Sequence, residues 1–281
     1  AARRTHGTDA ADKFARASYI GGFGGTSNVR ASARYGIPGV GTMAHSFITS
    51  FETDLDAFRA YANVFPDSST LLVDTYDTAK GVEAAITVAR ELENGGHKLV
   101  GIRLDSGDLD ALSRTARRML DHAGLPYVQI VASGGLDEFS IERLSLAGAP
   151  VDAYGVGTLA GVSADAPWSD AAYKQVMYDG RPVAKFSPSK RTYPRAKQVW
   201  RSFDPDGRLT RDHLTAASAE APDAGALPLL ADVMRNGSPI AAAPSLDDVR
   251  ERVRSELARL PDSALRLSGP TPCTVTISRE L

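Results

Sequence analysis

Between residues 70 and 157 the chain alternates two textures. Short continuous apolar runs occupy residues 70–74, 98–104, 128–132 and 153–157. The stretches between them carry apolar side chains at helical spacing, over residues 79–92, 109–122 and 138–147. In the second of these, Leu109, Leu112, Ala116, Met119 and Leu120 share one face, and Gly124 comes next as a stop signal. Runs without polar alternation suit strands covered by helices on both faces, so the pattern predicts strand–helix units in a parallel sheet or barrel. Upstream, residues 9–19, 29–35 and 54–65 read as helices, the last closed by Pro66. Residues 37–43 read as a short buried strand weakened by Pro38, Gly39 and Gly41. The rhythm stops near residue 170. Beyond that point the chain reads as mixed α+β: a hairpin over residues 173–186 turning at Asp179-Gly180, a second turn at residues 204–207, a helix capped by Ser245, and a last strand at residues 273–277. These readings divide the chain into an α/β part, residues 1–170, and a C-terminal α+β part, residues 171–281.

Composition narrows the function classes. The 281 residues carry a net charge of −2, and no block of like charge stands out, so nucleic acid and anionic membrane surfaces are not expected partners. A single cysteine, Cys273, excludes an internal disulfide and fits a reducing compartment. No apolar run approaches the ~18 residues of a membrane span, and no signal peptide is visible. The sequence opens Ala1-Ala2-Arg3-Arg4 without Met, which reads as the later part of a longer protein.

In parallel α/β folds, sites form at the C-terminal ends of strands. Here every such end is polar or glycine-rich: His45, Asp74, Arg103 with Asp105, Ser133-Gly134, and Gly155-Val156-Gly157-Thr158. His45 offers a titratable imidazole, and Asp74 is the expected partner that fixes its tautomer. Ser46 is expected to cap the helix after it. Arg103 presents a fork of donors suited to a carboxylate or phosphate, while Asp105 suits sugar hydroxyls or a cation. Gly155, Gly157 and Thr158, with Ser133 and Gly134, offer open amides for a phosphate. Arg3 and Arg4 add positive charge, and Thr26 and Ser27 come after a glycine-rich stretch. Blander roles stand beside these: Asp77, Asp108 and Asp137 as helix caps, and Arg103 paired with Asp105 or Asp108. No zinc pattern, P-loop or serine nucleophile elbow is present.

Taken in order, Ala2-Arg3-Arg4, Gly21-Gly22-Phe23 to Ser27-Asn28, Gly41-Thr42-Met43-Ala44-His45-Ser46, residues 72–78, Arg103-Leu104-Asp105-Ser106-Gly107-Asp108, Leu136-Asp137-Glu138 and Gly155-Val156-Gly157-Thr158 resemble the nicotinate phosphoribosyltransferase family. The likeness covers residues 1–202. It implies an irregular (β/α) barrel of the type II phosphoribosyltransferase kind, followed by part of an α+β sandwich domain, usually in a homodimer. It implies formation of nicotinate mononucleotide and pyrophosphate from nicotinate and phosphoribosyl pyrophosphate in cytoplasmic NAD salvage, with ATP hydrolysis coupled and Mg²⁺ bridging the pyrophosphate. The histidine that ATP phosphorylates falls on His45 and its carboxylate partner on Asp74. Arg103 and Asp105 match residues facing the pyridine acid, ribose and phosphate, and Gly155, Gly157 and Thr158 match the nucleotide-phosphate loop. The family's N-terminal third has no counterpart here, and Pro194-Arg195-Ala196-Lys197 lacks the glycine expected before Lys197-Gln198-Val199. A nicotinamide or quinolinate phosphoribosyltransferase, and a non-catalytic nucleotide-binding fragment, are the competing readings. Hydroxyls rather than an acid at Thr26-Ser27 favour the carboxylate substrate over the amide.

Overall fold

The computed structural model describes residues 2–188 and 190–281. They form two compact units, one comprising the chain up to Tyr19 with Phe23–Trp168, the other Ile20–Gly22 with Ser169–Leu281.

In the first unit a short 3-10 turn, Ala2–Arg4, precedes helices α1 (Thr8–Ile20), α2 (Val29–Tyr35), α3 (His45–Ile48) and α4 (Asp54–Val64). The strand–helix series comes next: β1 (Thr70–Leu72), α5 (Thr78–Asn94), β2 (Gly101–Leu104), α6 (Leu109–His122), β3 (Gln129–Ser133), α7 (Glu138–Leu146), β4 (Ala153–Gly155) and α8 (Thr158–Gly161). The four strands pair in parallel in the order β1-β2-β3-β4. The unit is therefore α/β around a parallel sheet. Among the described residues β4 makes no return pairing to β1, so this sheet is open rather than closed into a barrel.

Local chemistry explains the boundaries. Asn28, Thr53, Asp77, Asp108 and Asp137 each sit at an N-cap, where the side chain accepts from the backbone N–H three residues on. Such a cap is worth about 1 kcal/mol. Asp77, Asp108 and Asp137 thus take the capping role. The core lies where β1 and β2 meet α4, α5 and α6, and Phe58, Leu71, Leu72, Ile102, Leu104, Leu120 and Ile130 are buried there.

Residues 37–43 depart from expectation. They run extended, but only one parallel bridge forms, between Thr26 and Gly39, through Thr26 N–H to Pro38 O at 2.9 Å and Val40 N–H to Thr26 O at 3.0 Å. Pro38 has no N–H to extend the ladder. Helix α3 also starts two residues early, at His45. Its N-cap is Ala44, without a side-chain cap, so the expected capping role of Ser46 is not met. Ser46 is inside the first turn, and its carbonyl accepts from Thr49 Oγ1 and Ser50 Oγ.

The second unit is built on a mixed four-stranded sheet. After a hairpin, β5 (Met177–Tyr178) with β6 (Arg181–Pro182), come β7 (Lys197–Phe203), β8 (Leu209–Ala216), β9 (Leu227–Pro228), β10 (Met234–Arg235), β11 (Ser238–Pro239), α9 (Leu246–Ala258) and β12 (Thr274–Ile277). The sheet order is β12-β8-β7-β9, with only β12 and β8 parallel. Ser245 and Asp248 close a reciprocal capping box on α9.

Gly81 in α5 lies so close to the end of β1 that a Cβ there would sit 2.1 Å from Val73 O. Alanine normally stabilises a helix over glycine by about 1 kcal/mol, but this clash forces apart buried helix and strand, at about 1–3 kcal/mol or more. Gly81→Ala is expected to lower the unfolding free energy in urea, and a gain in stability would show the contact to be looser than described.

Candidate active site

Parallel pairing puts the ends of β1, β2, β3 and β4 on one edge of the sheet. Leu72 is level with Arg103, Leu104 with Ala132, and Ser133 with Gly155. The residues just beyond these ends, together with His45 at the start of α3, make one connected polar cluster.

Arg103 is its hub. Nε donates to Ser133 Oγ at 2.7 Å, Nη1 to Thr42 Oγ1 at 2.9 Å and Met43 O at 3.3 Å, and Nη2 to Asp105 Oδ1 at 2.6 Å. A guanidinium has five N–H donors, so these contacts leave one, on Nη2, for a ligand. The fork foreseen for a carboxylate is therefore engaged within the protein, chiefly by Asp105. Ser133 Oγ also donates to Asp105 Oδ1 at 2.5 Å. Burial pushes the Asp105 carboxyl up, but the Ser133 hydroxyl, the Arg103 guanidinium and the charge of His45 together outweigh it and hold it below the usual carboxylate value. Gly134 comes next in a left-handed conformation, φ +95°, and a Cβ there would fall 1.8 Å from Asp105 O, so only glycine lets the ends of β2 and β3 close up.

Asp74 is bound differently. Its side chain is 2% exposed. Oδ2 accepts from Asp105 N–H at 2.8 Å and Ser106 Oγ at 2.7 Å. Oδ1 is buried without a hydrogen-bond partner. It faces His45 Nε2 at 4.0 Å, and Asp105 Oδ2 stands 3.7 Å from the same nitrogen. The imidazole is 42% exposed, and its other nitrogen, Nδ1, lies 3.1 Å from Thr75 Oγ1. An imidazole thus stands at the solvent face of two carboxylates, one of which holds an oxygen in reserve.

Residues 1–159 match the family model described as the nicotinate phosphoribosyltransferase (NAPRTase) family, and residues 223–281 match the nicotinate phosphoribosyltransferase C-terminal domain. The chain belongs to the nicotinate phosphoribosyltransferase family. The nicotinate phosphoribosyltransferase pncB2 of Mycobacterium tuberculosis is 48% identical over 261 residues, covering 92% of this chain and 55% of that protein. The Bacillus subtilis nicotinate phosphoribosyltransferase is 35% identical over 308 residues, covering 99% of this chain and 62% of its own length. The crystal structure of human nicotinic acid phosphoribosyltransferase superposes with a TM-score of 0.85 at 28% identity, over 100% of this chain and 68% of that one. The chain therefore spans little more than half the length of the M. tuberculosis relative.

Within this nicotinate phosphoribosyltransferase-family cluster the structure unites His45, Asp74, Arg103, Asp105, Ser133 and Gly134. Gly155 lies beside Ser133, and Gly157 and Thr158 continue from it into α8. Arg3 and Arg4 are exposed in the 3-10 turn that packs against α8, where a Cβ on Gly161 would meet Thr5 Cγ2 at 3.1 Å. Thr26 is tied to the segment leading to His45 by its bridge with Gly39, and its Oγ1 accepts from Asn28 N–H at 3.1 Å. Ser27 and Ser46 are exposed and take no part in the cluster. Three hydroxyls inside it were assigned no role from sequence: Thr42, Thr75 and Ser106. Each is next to or near a residue singled out, and position just past a strand end is the signal they share. An open hollow of about 520 Å³ lies at the opposite, N-terminal ends of the strands, lined by Asp67, His97, Lys98 and Tyr127, and holds none of these groups.

The lowered Asp105 value fixes a sign. Its ionised form contributes stability that is complete above the ordinary carboxylate value of about 3.9 and is lost as pH falls through the lower folded value. The stability difference between wild type and Asp105→Asn should shrink on acidification below that range, as followed by urea unfolding at stepped pH. A difference that grows towards acid would contradict the assigned network.

Proposed function

We propose that the protein acts as a nicotinate phosphoribosyltransferase, joining nicotinate to phosphoribosyl pyrophosphate and coupling the reaction to ATP through a phosphohistidine at His45. The observation that carries this reading is the pair Asp74 and Asp105 behind His45, with Asp74 Oδ1 buried, unpartnered and aimed at Nε2. A buried carboxylate oxygen without a donor costs about 1–3 kcal/mol or more, and an imidazole N–H turned towards it during turnover offsets that cost. Family membership and the match to the human enzyme over the whole chain support it further.

On this reading the open parallel sheet is part of an irregular (β/α) barrel, and the protein works as a homodimer in cytoplasmic NAD salvage. In the transfer step the nicotinate ring nitrogen bonds to C1 of the ribose while the C1–O bond breaks and pyrophosphate leaves with the electron pair. The protein's task is to hold acceptor, ribose and leaving group in line. Asp105 suits the ribose hydroxyls. Ser133, Gly134, Gly155, Gly157 and Thr158 are assigned to the nucleotide phosphate, with Arg3 and Arg4 nearby. The nicotinate carboxylate is assigned to the remaining Arg103 N–H, with Thr26, Ser27 and Ser46 assigned to the substrate by the family likeness alone. No group of three or more His, Cys, Asp or Glu among the described residues forms a metal cage. Such a donor set would suit a Mg²⁺ held mostly by phosphate oxygens and water, with Asp105 as the one carboxylate that would hold it. When bound, Mg²⁺ supplies charge neutralisation on the pyrophosphate.

The purified protein with ATP and Mg²⁺ should acquire an acid-labile phosphate, and nicotinate should be preferred over nicotinamide and quinolinate in forming the mononucleotide. His45→Ala should remove the label and the stimulation by ATP. Label persisting in that variant, or a preference for either rival substrate, would overturn the reading.

A further inference from the structure

We propose that Thr75 is a positioning residue: the two carboxylates beside Nε2 favour the neutral His45 tautomer with its proton there, and the Thr75 hydroxyl donates to Nδ1 and holds the ring in that pose. The inference rests on the reading of His45 as the phosphoryl acceptor and adds what makes one of its nitrogens nucleophilic.

Two independent contacts define the ring. On one side Nδ1 lies 3.1 Å from Thr75 Oγ1. On the other, Nε2 faces Asp105 Oδ2 at 3.7 Å and Asp74 Oδ1 at 4.0 Å. A hydroxyl serves either tautomer, since it can donate or accept. Carboxylates serve only one. With the proton on Nδ1, the Nε2 lone pair would point at two carboxylate oxygens with no hydrogen between them. With the proton on Nε2, both oxygens face the positive end of an N–H dipole, at distances too long for a hydrogen bond but close enough to favour that tautomer, and Asp74 Oδ1, which has no hydrogen-bond partner, has the N–H as its nearest polar hydrogen. The lone pair then sits on Nδ1, and Thr75 is its donor.

Thr75 is built to hold that place. Immediately upstream, Val73 N–H bonds to Arg103 O at 3.1 Å, locking the end of β1 to β2. Two residues downstream, Asp77 caps α5 by accepting from Lys80 N–H at 2.9 Å. The side chain is half-buried and β-branched, so its χ1 is confined to a few rotamers, the present one setting Oγ1 beside Nδ1.

The step this prepares balances simply. The Nδ1 lone pair bonds to the γ-phosphorus of ATP, the bond from that phosphorus to the bridging oxygen breaks, and ADP leaves with the pair. The Nε2 proton stays between Asp74 and Asp105. For the transfer, a change of χ1 rotamer takes the Thr75 hydroxyl off the Nδ1 lone pair, after which it is free to donate to an oxygen of the incoming phosphoryl group.

The test compares wild type, Thr75→Val, Thr75→Ser and His45→Ala. The imidazole ¹⁵N shifts of His45 in the unphosphorylated wild-type protein report the tautomer directly and depend on no variant folding. The expected result is a protonated Nε2 and an unprotonated Nδ1, and a proton on Nδ1 overturns the proposal. The rate of acid-labile labelling from ATP should fall about tenfold in Thr75→Val, the worth of one hydrogen bond, with the KM for ATP unchanged and the Nδ1 resonance moved to that of an imidazole nitrogen without a hydrogen bond. Thr75→Ser should restore both the rate and the spectrum. If Thr75→Val labels at the wild-type rate with an unchanged spectrum while His45→Ala stays unlabelled, Thr75 has no positioning role and the phosphohistidine reading stands. If His45→Ala still labels, that reading itself falls.

Discussion

The arrangement of the site depends on one guanidinium. Arg103 ties the end of β2 to Ser133 at the end of β3 and to Thr42 and Met43 on the approach to His45, and it neutralises Asp105 in the same plane. Those segments are far apart in sequence, and Arg103 is the side chain that bonds to all of them. Lysine would keep the charge, but a point charge has no fixed fork with which to hold three directions. The ion pair itself is partly buried, with Arg103 and Asp105 side chains 23% and 26% exposed. A pair so placed repays its desolvation only when its remaining hydrogen-bonding groups are satisfied. Ser133, Thr42 and Met43 O supply that satisfaction, so the hydroxyls around Arg103 are part of its stability as well as of its geometry.

The parallel α/β part was legible because its physics is periodic. Strands covered on both faces need continuous apolar runs, and Leu71, Leu72, Ile102, Leu104 and Ile130 are buried as such runs require. The cap residues were legible too, since Asp77, Asp108 and Asp137 stand one residue before an apolar-faced helix. What failed lacked a period. The segment at residues 37–43 is apolar enough for a strand, yet Pro38 limits it to one bridge. Strand β8 runs from Leu209 to Ala216, where the sequence shows only the turn at residues 204–207 before it. Its middle, Arg211-Asp212-His213, is charged and looks like loop. Its charges are matched instead by Arg201 across the strand pair on Asp212 and by Asp223, in the loop before β9, on Arg211.

In the site, His45, Asp74, Arg103 and Asp105 were legible because charged groups directly after apolar strands are conspicuous. Thr42, Thr75 and Ser106 were not. A hydroxyl beside a charged residue has no pattern of its own, and its role appears only when a partner from another element is brought to it: Arg103 for Thr42, His45 for Thr75, Asp74 for Ser106. Ser46 shows the converse. Its type and place suit an N-cap, but the helix begins at His45, and the extended residue before it is Ala44.

Charge decides what the cluster needs from its surroundings. Asp74 and Asp105 are anionic and Arg103 is the cation among them, so with a neutral His45 the group carries one net negative charge. The substrates assigned to it are anions. A negative cluster does not attract pyrophosphate or a pyridine acid by itself, and at 4 Å two unit charges still interact by about 4 kcal/mol near a protein surface. Positive charge must come from outside the hydrogen-bonded core. Arg3 and Arg4, exposed beside α8, are one source within this unit. A cation carried by the phosphates, as the proposed Mg²⁺ would be, is another. The same sum explains why Arg103 is better spent inside. With Nη2 on Asp105, it offsets the charge of the second carboxylate, and its remaining N–H adds direction.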